Sequence, residues 1–325
     1  MERILLLDAL NLFIRSFACI NTATEQGNHC GGSWGTLQSL KTITELFHPT
    51  KLVFCWEGRH SGKKRREIMP EYKEGRKVKR SLNRTFNWAY PEQEWESFKA
   101  QILRLKQYLE MMPIYQVEID NMEADDSIAY ICNNMFKDDN KIIVSSDRDY
   151  FQLITDKTCV YRPVKKEIIT YDKLITEEKI HPKNWIWMKT LNGDSSDSVP
   201  GIVKGLGPKT IIKLFPYLIE PRKINLDEIL KTCQDNIEDH RFYKAIYDAQ
   251  ENVEKNWKVM QLSDHDFSLE GVTKINECFE HQKPTLKSFQ LRLLFMQDGA
   301  MKALSQMDDW NRLFIPLNYR EEVTK

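Results

Sequence analysis

Acidic side chains are concentrated in the stretch VEIDNMEADDSI, residues 117–128. Like charges this close repel one another unless cations neutralise them, and sets of carboxylate oxygens suit Mg²⁺ or Mn²⁺. A second interpretation is open, because acidic residues in the first turn of a helix favour its dipole without any catalysis. The acidic side chains are Glu118, Asp120, Glu123, Asp125 and Asp126.

Other carboxylates follow short apolar segments, which suggests how the acids are brought together. Residues 4–7 precede Asp8, residues 52–56 precede Glu57, and residues 142–144 precede Asp147 and Asp149. A fourth segment, YQVEID at 115–120, leads into the acidic stretch, which begins a helical pattern. Continuous apolar strands separated by helical segments predict an α/β fold with a mostly parallel sheet flanked by helices. Ligands of such sheets bind at the carboxyl ends of the strands, so the sequence predicts a metal site there.

A glycine-rich stretch, NGDSSDSVPGIVKGLGPKTIIKLF at residues 192–215, contains another pair of acids, Asp194 and Asp197. Its glycines separate two helical segments, as in a helix-hairpin-helix element. Glycines allow backbone amides to approach a phosphate, and the N-terminus of the next helix favours the same anion. Such contacts hold a nucleic-acid backbone without reading its sequence. The candidate phosphate-binding residues are Gly201, Gly205, Gly207, Lys209 and Thr210.

The charge distribution is uneven although the totals balance, with 47 basic and 47 acidic residues among 325. Between residues 59 and 84 there are eleven basic and three acidic residues, a net charge of 11 − 3 = +8. A carboxylate cluster repels nucleic acid, so this basic strip is expected to steer a phosphate towards it. Five aromatic residues at 83–98 either stack on single-stranded nucleic acid or pack the strip against the sheet, and we favour packing.

Composition excludes several classes of protein. The sequence has no apolar run of the roughly 18 residues that a membrane span needs and no signal-peptide pattern, so we expect a cytoplasmic protein. Seven scattered cysteines without a C-x-x-C pair indicate neither a zinc ribbon nor a disulfide framework. The seven histidines lack ligand spacing. A haloacid-dehalogenase-like phosphatase is disfavoured because Asp8 is not followed by the D-x-D-x-T pattern.

Four motifs together resemble the flap endonuclease and 5′–3′ exonuclease family, with most likeness to bacteriophage ribonuclease H and 5′ exonuclease members. The motifs are DALNLFIR at 8–15, EADD at 123–126, SSDRDYFQL at 145–153 and GDSSDSVPGIVKGLGPKT at 193–210. The resemblance covers about residues 1–220. It implies a PIN-like nuclease domain at residues 1–180, with a basic helical arch at about 59–110. A helical domain would follow at 181–325, with a helix-hairpin-helix element of the helix-3-turn-helix type at about 185–220.

The resemblance also implies roles for individual residues. Asp8, Glu123 and Asp125 would hold one divalent metal ion, Mg²⁺ or Mn²⁺, with Asp126 close by. A second ion would be surrounded, in part through water, by Asp147, Asp149, Asp194 and Asp197. Glu57 stands where the family has Asp, and its longer side chain would reach the metal directly or through water. K⁺ is a further candidate at the helix-hairpin-helix element.

PEYKEGR at residues 70–76 resembles a family element at the base of the arch. By this resemblance Lys73 and Arg76 would approach the scissile phosphate, and Tyr72 would stack near the terminal nucleotide. Arg15 occupies the family's arginine position after the first strand.

The resemblance implies a monomeric 5′ nuclease that cuts near single-strand to duplex junctions during replication or repair, including removal of RNA primers. Its substrates would be DNA or RNA/DNA hybrids with 5′ ends or flaps. Its protein partners would be a single-strand-binding protein, a polymerase or a clamp, in the host cytoplasm if a phage encodes it. The alternative is a junction-binding protein of the same fold that does not cut.

Overall fold

A six-stranded sheet lies at the centre of the computed structural model. The structure describes residues 2–77, 81–262, 267–300 and 306–319, without the side chains of Arg76 and Lys77. The strand order is β3-β2-β1-β4-β5-β6. The first five strands in this order are parallel and β6 is antiparallel to β5. The strands are β1 (Arg3–Asp8), β2 (Lys51–Trp56), β3 (Tyr115–Glu118), β4 (Asn140–Val144), β5 (Thr158–Arg162) and β6 (Glu167–Ile169). The predicted α/β fold with a mostly parallel sheet is confirmed.

Both faces of the sheet are buried, which explains the continuous apolar strand sequences. In β1, Leu5 and Leu7 point to one face while Ile4 and Leu6 point to the other, and all four are 0% exposed. Alternation of side chains along a strand therefore places apolar residues in two separate cores.

Helices cover the two faces of the sheet. The face of Leu5 packs against α1, α2, α4, α13 and α14, and the face of Ile4 packs against α5 and helices from α7 to α12. The described helices are α1 (Ala9–Cys19), α2 (Gly31–Phe47), α3 (Lys63–Ile68), α4 (Gln93–Glu110), α5 (Ala124–Tyr130), α6 (Tyr171–Lys173), α7 (Trp185–Asn192), α8 (Pro208–Leu214), α9 (Leu226–Asp235), α10 (Arg241–Asp248), α11 (Gln250–Met260), α12 (Leu269–His281), α13 (Ser288–Gln297) and α14 (Met307–Phe314). Within the described ranges, the helices are all too short or too polar to cross a membrane.

Both cores contain residues from either side of position 180. Trp187 belongs to the core on the Ile4 face, and Phe295 and Trp310 belong to the core on the Leu5 face. These three side chains are each 0% exposed. The C-terminal helices therefore complete the cores of the sheet.

The described part of the basic strip, residues 59–77 and 81–84, contains little regular helix. Within it the structure places α3, of six residues, and a 3-10 helix at Glu74–Lys77, and α4 begins only at Gln93. The aromatic residues that follow pack mainly on the protein: Trp88 stacks on Phe17 with ring centres 6.0 Å apart, and Phe98 meets Phe13 edge to face at 5.2 Å. The preference for packing on the protein is confirmed for these two rings, which contact α1, whereas Trp95 is 58% exposed.

The strand order places a crevice at the carboxyl ends of β1 and β4. From β1 the chain continues to β2 on one side, and from β4 it continues to β5 on the other. Adjacent parallel strands whose connections leave in opposite directions open a crevice beyond their ends. Asp8 ends β1, and Asp147 and Asp149 follow β4, so this crevice is lined by acids.

Candidate metal centre

The acidic stretch places three carboxylates together at the start of α5. Glu123, Asp125 and Asp126 each offer an oxygen atom within 4.8 Å of the others. Glu123 is the N-cap residue, and its backbone N–H donates to Asp126 Oδ2 at 3.2 Å. The backbone N–H of Asp126 donates to Asp125 Oδ1 at 2.8 Å. The capping interpretation is confirmed, and the same side chains are arranged so that they could hold a metal ion.

A buried arginine that the sequence interpretation did not single out lies against these carboxylates. Arg65, on α3, donates from Nη2 to Asp126 Oδ1 at 2.8 Å and pairs with Glu123 through Nη1. Its Nη1 is also 3.5 Å from Asp125 Oδ1. The guanidinium thus neutralises part of the cluster. Among eleven basic residues of one strip, charge alone gave no signal that this one is buried.

Asp8 and Glu57 lie beside this group at the ends of β1 and β2. Asp8 accepts hydrogen bonds from Tyr150 Oη at 3.1 Å and Ser145 Oγ at 3.2 Å. Burial raises the pKa of Asp8 to about 6, with a further contribution from the charge of Glu57. Glu57 Oε2 is buried without a hydrogen-bond partner in the described part of the chain. An orphaned carboxylate oxygen among other carboxylates fits a divalent cation, because such a group otherwise pays its full desolvation cost.

The acids after β4 form a second group together with residues from the C-terminal half. Lys189 Nζ, on α7, lies 2.6 Å from Asp149 Oδ1 and also pairs with Asp194. The backbone N–H of Asp149 donates to Asp147 Oδ1 at 2.8 Å. Burial, reinforced by the charge of Asp147, raises the pKa of Asp149 to about 8. Lys189 was not predicted, although a single lysine within the apolar segment WIWMKTL was a usable signal.

Tyr72 and Lys73 connect the two groups. Tyr72 Oη lies 3.2 Å from Glu123 Oε2 and 3.5 Å from Asp197 Oδ2. Lys73 Nζ pairs with Glu123, and its backbone N–H donates to the carbonyl of Asp197 at 2.7 Å. The tyrosine ring is 3% exposed, so in this structure it is a wall of the site and not the base-stacking surface expected from the sequence. Burial of the hydroxyl between carboxylates explains the difference.

The glycine-rich stretch contains the turn that connects α7 to α8. Gly205 has φ = 87°, and a Cβ built on it or on Gly207 would meet no atom within 4 Å. Gly201 instead packs closely, since its Cβ would lie 2.6 Å from the carbonyl oxygen of Asn192. Lys209 is exposed in the first turn of α8 and Thr210 follows it, half-buried. The open glycines and Lys209 leave this turn accessible to a phosphate.

Two predicted residues remain apart from these contacts. Arg15 is half-buried on α1, the helix that Asp8 caps. The backbone of Arg76 lies in the 3-10 helix after Lys73, but its side chain is outside the described part of the protein.

Comparison with known proteins identifies the family of this chain. The family of 5′–3′ exonuclease N-terminal resolvase-like domains matches residues 3–183. A 5′–3′ exonuclease of Aquifex aeolicus is 27% identical over 308 residues, 94% of this chain and 94% of that protein. A 5′–3′ exonuclease of Buchnera aphidicola is 32% identical over 227 residues, 68% of this chain and 72% of that protein.

A solved structure agrees in fold. The flap endonuclease of bacteriophage T5, in a complex with DNA and metal ions, superposes with a TM-score of 0.61 at 17% identity, over 95% of this chain and 98% of that one. Because the family match spans more than half of the chain and includes the strand-end carboxylates from Asp8 to Asp149, the chain belongs to the 5′–3′ exonuclease family.

Proposed function

We propose that the protein is a divalent-metal-dependent 5′ nuclease that hydrolyses phosphodiesters near junctions of single strand and duplex. The observation that carries this proposal is the gathering of carboxylates at one edge of the sheet, with Glu57 Oε2 buried and without a partner among the described residues. Its family membership and the metal and DNA content of the T5 complex support the same activity.

The carboxylates divide into two candidate metal sites, for which we propose Mg²⁺ or Mn²⁺. Asp8, Glu57, Glu123, Asp125 and Asp126 would serve the first site. Divalent ions held by these residues would supply Lewis acidity for a displacement at phosphorus. The second site would use Asp147, Asp149, Asp194 and Asp197.

The basic residues of the site have a separate task, which is to bring an anion into a field of carboxylates. Lys73 already pairs with Glu123, so its ammonium group lies where a phosphate would need a counter-charge. We propose that Lys73, together with Arg76, contacts the reacting phosphate. Arg15 and the turn from Gly201 to Thr210 would hold the nucleic-acid backbone, with K⁺ as a candidate ion at that turn.

The substrates that we propose are DNA or RNA/DNA hybrids with 5′ ends or flaps, including RNA primers. A monomer suffices, because both acidic groups come from one chain. Cytoplasmic location and contacts with a single-strand-binding protein, a polymerase or a clamp belong to the same proposal. We propose that the division at residue 180 is one of function: the part before it would carry the first metal site, and the part after it would hold the duplex and contribute Asp194 and Asp197 to the second site.

Replacement of Asp125 by asparagine tests the proposal directly. Asp125→Asn removes a charge from the cluster with little change in shape, so cleavage of a 5′-labelled flap substrate in Mg²⁺ should fall by at least about a thousandfold. Binding of the same substrate in Ca²⁺ should persist or become tighter, because one repulsive charge is gone.

The matched control is Asp120→Asn, since Asp120 belongs to the same acidic stretch but is exposed. This variant should cleave like the wild type. If Asp125→Asn cleaves as fast as the wild type, Asp125 does not belong to the site. If the wild type binds the flap but cuts it with none of Mg²⁺, Mn²⁺ or Co²⁺, the protein is a junction-binding protein and the proposal is wrong.

A further inference from the structure

Arg65 is the most deeply buried charged side chain of the basic strip for which the structure describes exposure, at 4%. Burial of a guanidinium is costly unless carboxylates and other acceptors satisfy it. Its neighbour Arg66 is exposed and donates to the carbonyl of Ser61 at 3.1 Å. Two adjacent arginines in one short helix therefore have different environments, and only the first faces the carboxylate cluster.

The three nitrogen atoms of the guanidinium have different partners. Nε donates to the carbonyl oxygen of Val259 at 3.0 Å, and Nη2 donates to Asp126 Oδ1 at 2.8 Å. Nη1 pairs with Glu123 Oε2 and lies 3.5 Å from Asp125 Oδ1. Nε is thus anchored to the end of α11, whereas the two terminal nitrogens touch the side chains that would bind metal.

We propose that Arg65 is a positioning residue, which fixes the directions of the Glu123 and Asp125 carboxylates and so sets the affinity of the first metal site. Because it takes these two acids as metal ligands, the proposal rests on the proposed function. A planar guanidinium with several fixed donors constrains carboxylate geometry, which a point charge does not do. The anchor at Val259 holds the guanidinium in place whether or not Nη1 keeps its contact with Glu123.

Lys73 shows why geometry is the property that Arg65 adds. Lys73 also pairs with Glu123, so a neutralising charge is present without Arg65. However, its side chain is 16% exposed and touches the opposite oxygen, Oε1, through a single ammonium group. The lysine supplies charge from the open side of the site, and the arginine supplies a rigid support from the interior.

The test compares Arg65→Lys and Arg65→Gln with the wild type in Mn²⁺ binding without nucleic acid, by electron paramagnetic resonance and titration calorimetry. Positioning predicts that both variants bind the first Mn²⁺ at least about tenfold more weakly, because lysine keeps the charge but loses the donors to Val259 and Asp126. If Arg65→Lys binds like the wild type, only charge matters and the proposal is wrong. Tighter binding by either variant would show that Arg65 competes with the metal, which also overturns it.

The matched control is Arg222→Lys. Arg222 likewise pairs with two carboxylates, those of Glu220 and Glu228, but its side chain is 51% exposed. This variant should keep the wild-type affinity for Mn²⁺. A wild type that binds no Mn²⁺ would refute the proposed function itself, which separates that failure from failure of the proposal about Arg65.

A measurement on the wild-type protein covers the case in which the variants do not fold. Nuclear magnetic resonance of arginine side chains reports exchange of the Arg65 Nε–H with and without Mg²⁺. Positioning predicts slow exchange in both states, because the hydrogen bond to Val259 persists. Exchange that becomes fast when Mg²⁺ is added would mean that metal expels Arg65, and the proposal would be rejected.

Discussion

Glu57 carries a prediction of its own at the residue scale. Its charge contributes to the raised pKa of Asp8, and its Oε2 has no hydrogen-bond partner among the described residues. Glu57→Gln keeps the shape and removes the charge. We therefore expect a higher melting temperature in EDTA but a metal affinity that falls about tenfold.

Differential scanning calorimetry with EDTA and with Mg²⁺ measures both effects of Glu57→Gln. Glu71→Gln, at an exposed acid of the basic strip, is the control and should change neither. A variant that is less stable than the wild type in EDTA would show that Glu57 has a stabilising partner and is not an orphan.

The raised pKa values predict how the metal-free protein responds to pH. Burial raises the folded-state pKa of Asp8 to about 6 and of Asp149 to about 8, from ordinary values near 3.8. The folded protein then holds protons that the unfolded chain releases. This contribution to stability is fully present below about pH 4 and is lost as pH rises through 6 and 8.

In EDTA the melting temperature of the wild type, relative to that of the Asp149→Asn variant, should consequently decrease between pH 5 and pH 8. The comparison with the variant removes the pH dependence that other groups contribute. Saturating Mg²⁺ should reduce the decrease, since the ion takes the place of the protons. A melting temperature in EDTA that rises over this range, relative to that variant, would contradict the assigned shifts.

At the same scale, sequence predicts the acids of the site better than their counter-ions. Asp8 and Glu57 were predictable because each follows an apolar strand, and parallel strands end at one edge of the sheet. Arg65 and Lys189 were not, because their partners are distant in sequence. Arg65 meets Glu123 58 positions later, and Lys189, on α7, meets Asp149 in the segment after β4. Such pairs depend on how the helices pack on the sheet.

At the scale of elements, the turn between α7 and α8 gives a prediction about nucleic acid. Lys209 is exposed beside the open Gly207, so Lys209→Ala should weaken duplex binding and reduce the salt slope by about one counterion. Fluorescence anisotropy over a range of KCl concentrations measures the slope. Lys231→Ala, at an exposed lysine of α9, is the control and should leave the slope unchanged. An equal slope for wild type and Lys209→Ala would remove the turn from the duplex-binding surface.

The start of α2 shows where element-level interpretation from sequence is limited. The stretch CGGSWG at residues 30–35 is compatible, from sequence alone, with either an ordinary helix start or a helix that approaches a DNA backbone. In the structure the backbone N–H groups of Gly32 and Ser33 both donate to Gln101 Oε1, at 2.8 and 3.1 Å. A Cβ on Gly32 would lie 2.7 Å from the ring of Phe13. The glycine serves packing and the amides are capped internally, which favours the ordinary helix start.

At the scale of the whole molecule, the two shared cores predict that the N-terminal part does not fold alone. Residues 181–314 supply Trp187, Phe295 and Trp310 to the faces of the sheet, and a fragment of residues 1–180 would leave both faces partly uncovered. We expect this fragment to lack a cooperative thermal transition by circular dichroism, while the full chain shows one. A fragment that melts cooperatively would establish residues 1–180 as an independent folding unit.

Only part of this shared packing is predictable from sequence. Strand periodicity predicts the sheet, and the amphipathic helices after residue 220 are expected to complete the helical domain and to support the sheet. The apolar faces of these helices show that one side of each is buried, but they do not show which element covers it. Only the structure shows that α13 and α14 pack on the same face of the sheet as α2.

The hydrogen bond from the backbone N–H of Lys73 to the backbone carbonyl of Asp197 has a consequence for the position of cleavage. Besides that bond, the backbone N–H of Gly75 donates to Ser198 Oγ at 3.0 Å. Two hydrogen bonds therefore tie the segment that carries Lys73 to the loop before the glycine-rich turn. Under the proposed function, the distance between a duplex held at the turn and a phosphate beside Lys73 would then be set by the protein. Such a molecule measures its cleavage position from the duplex, so the distance from junction to cut should stay the same when the flap is lengthened.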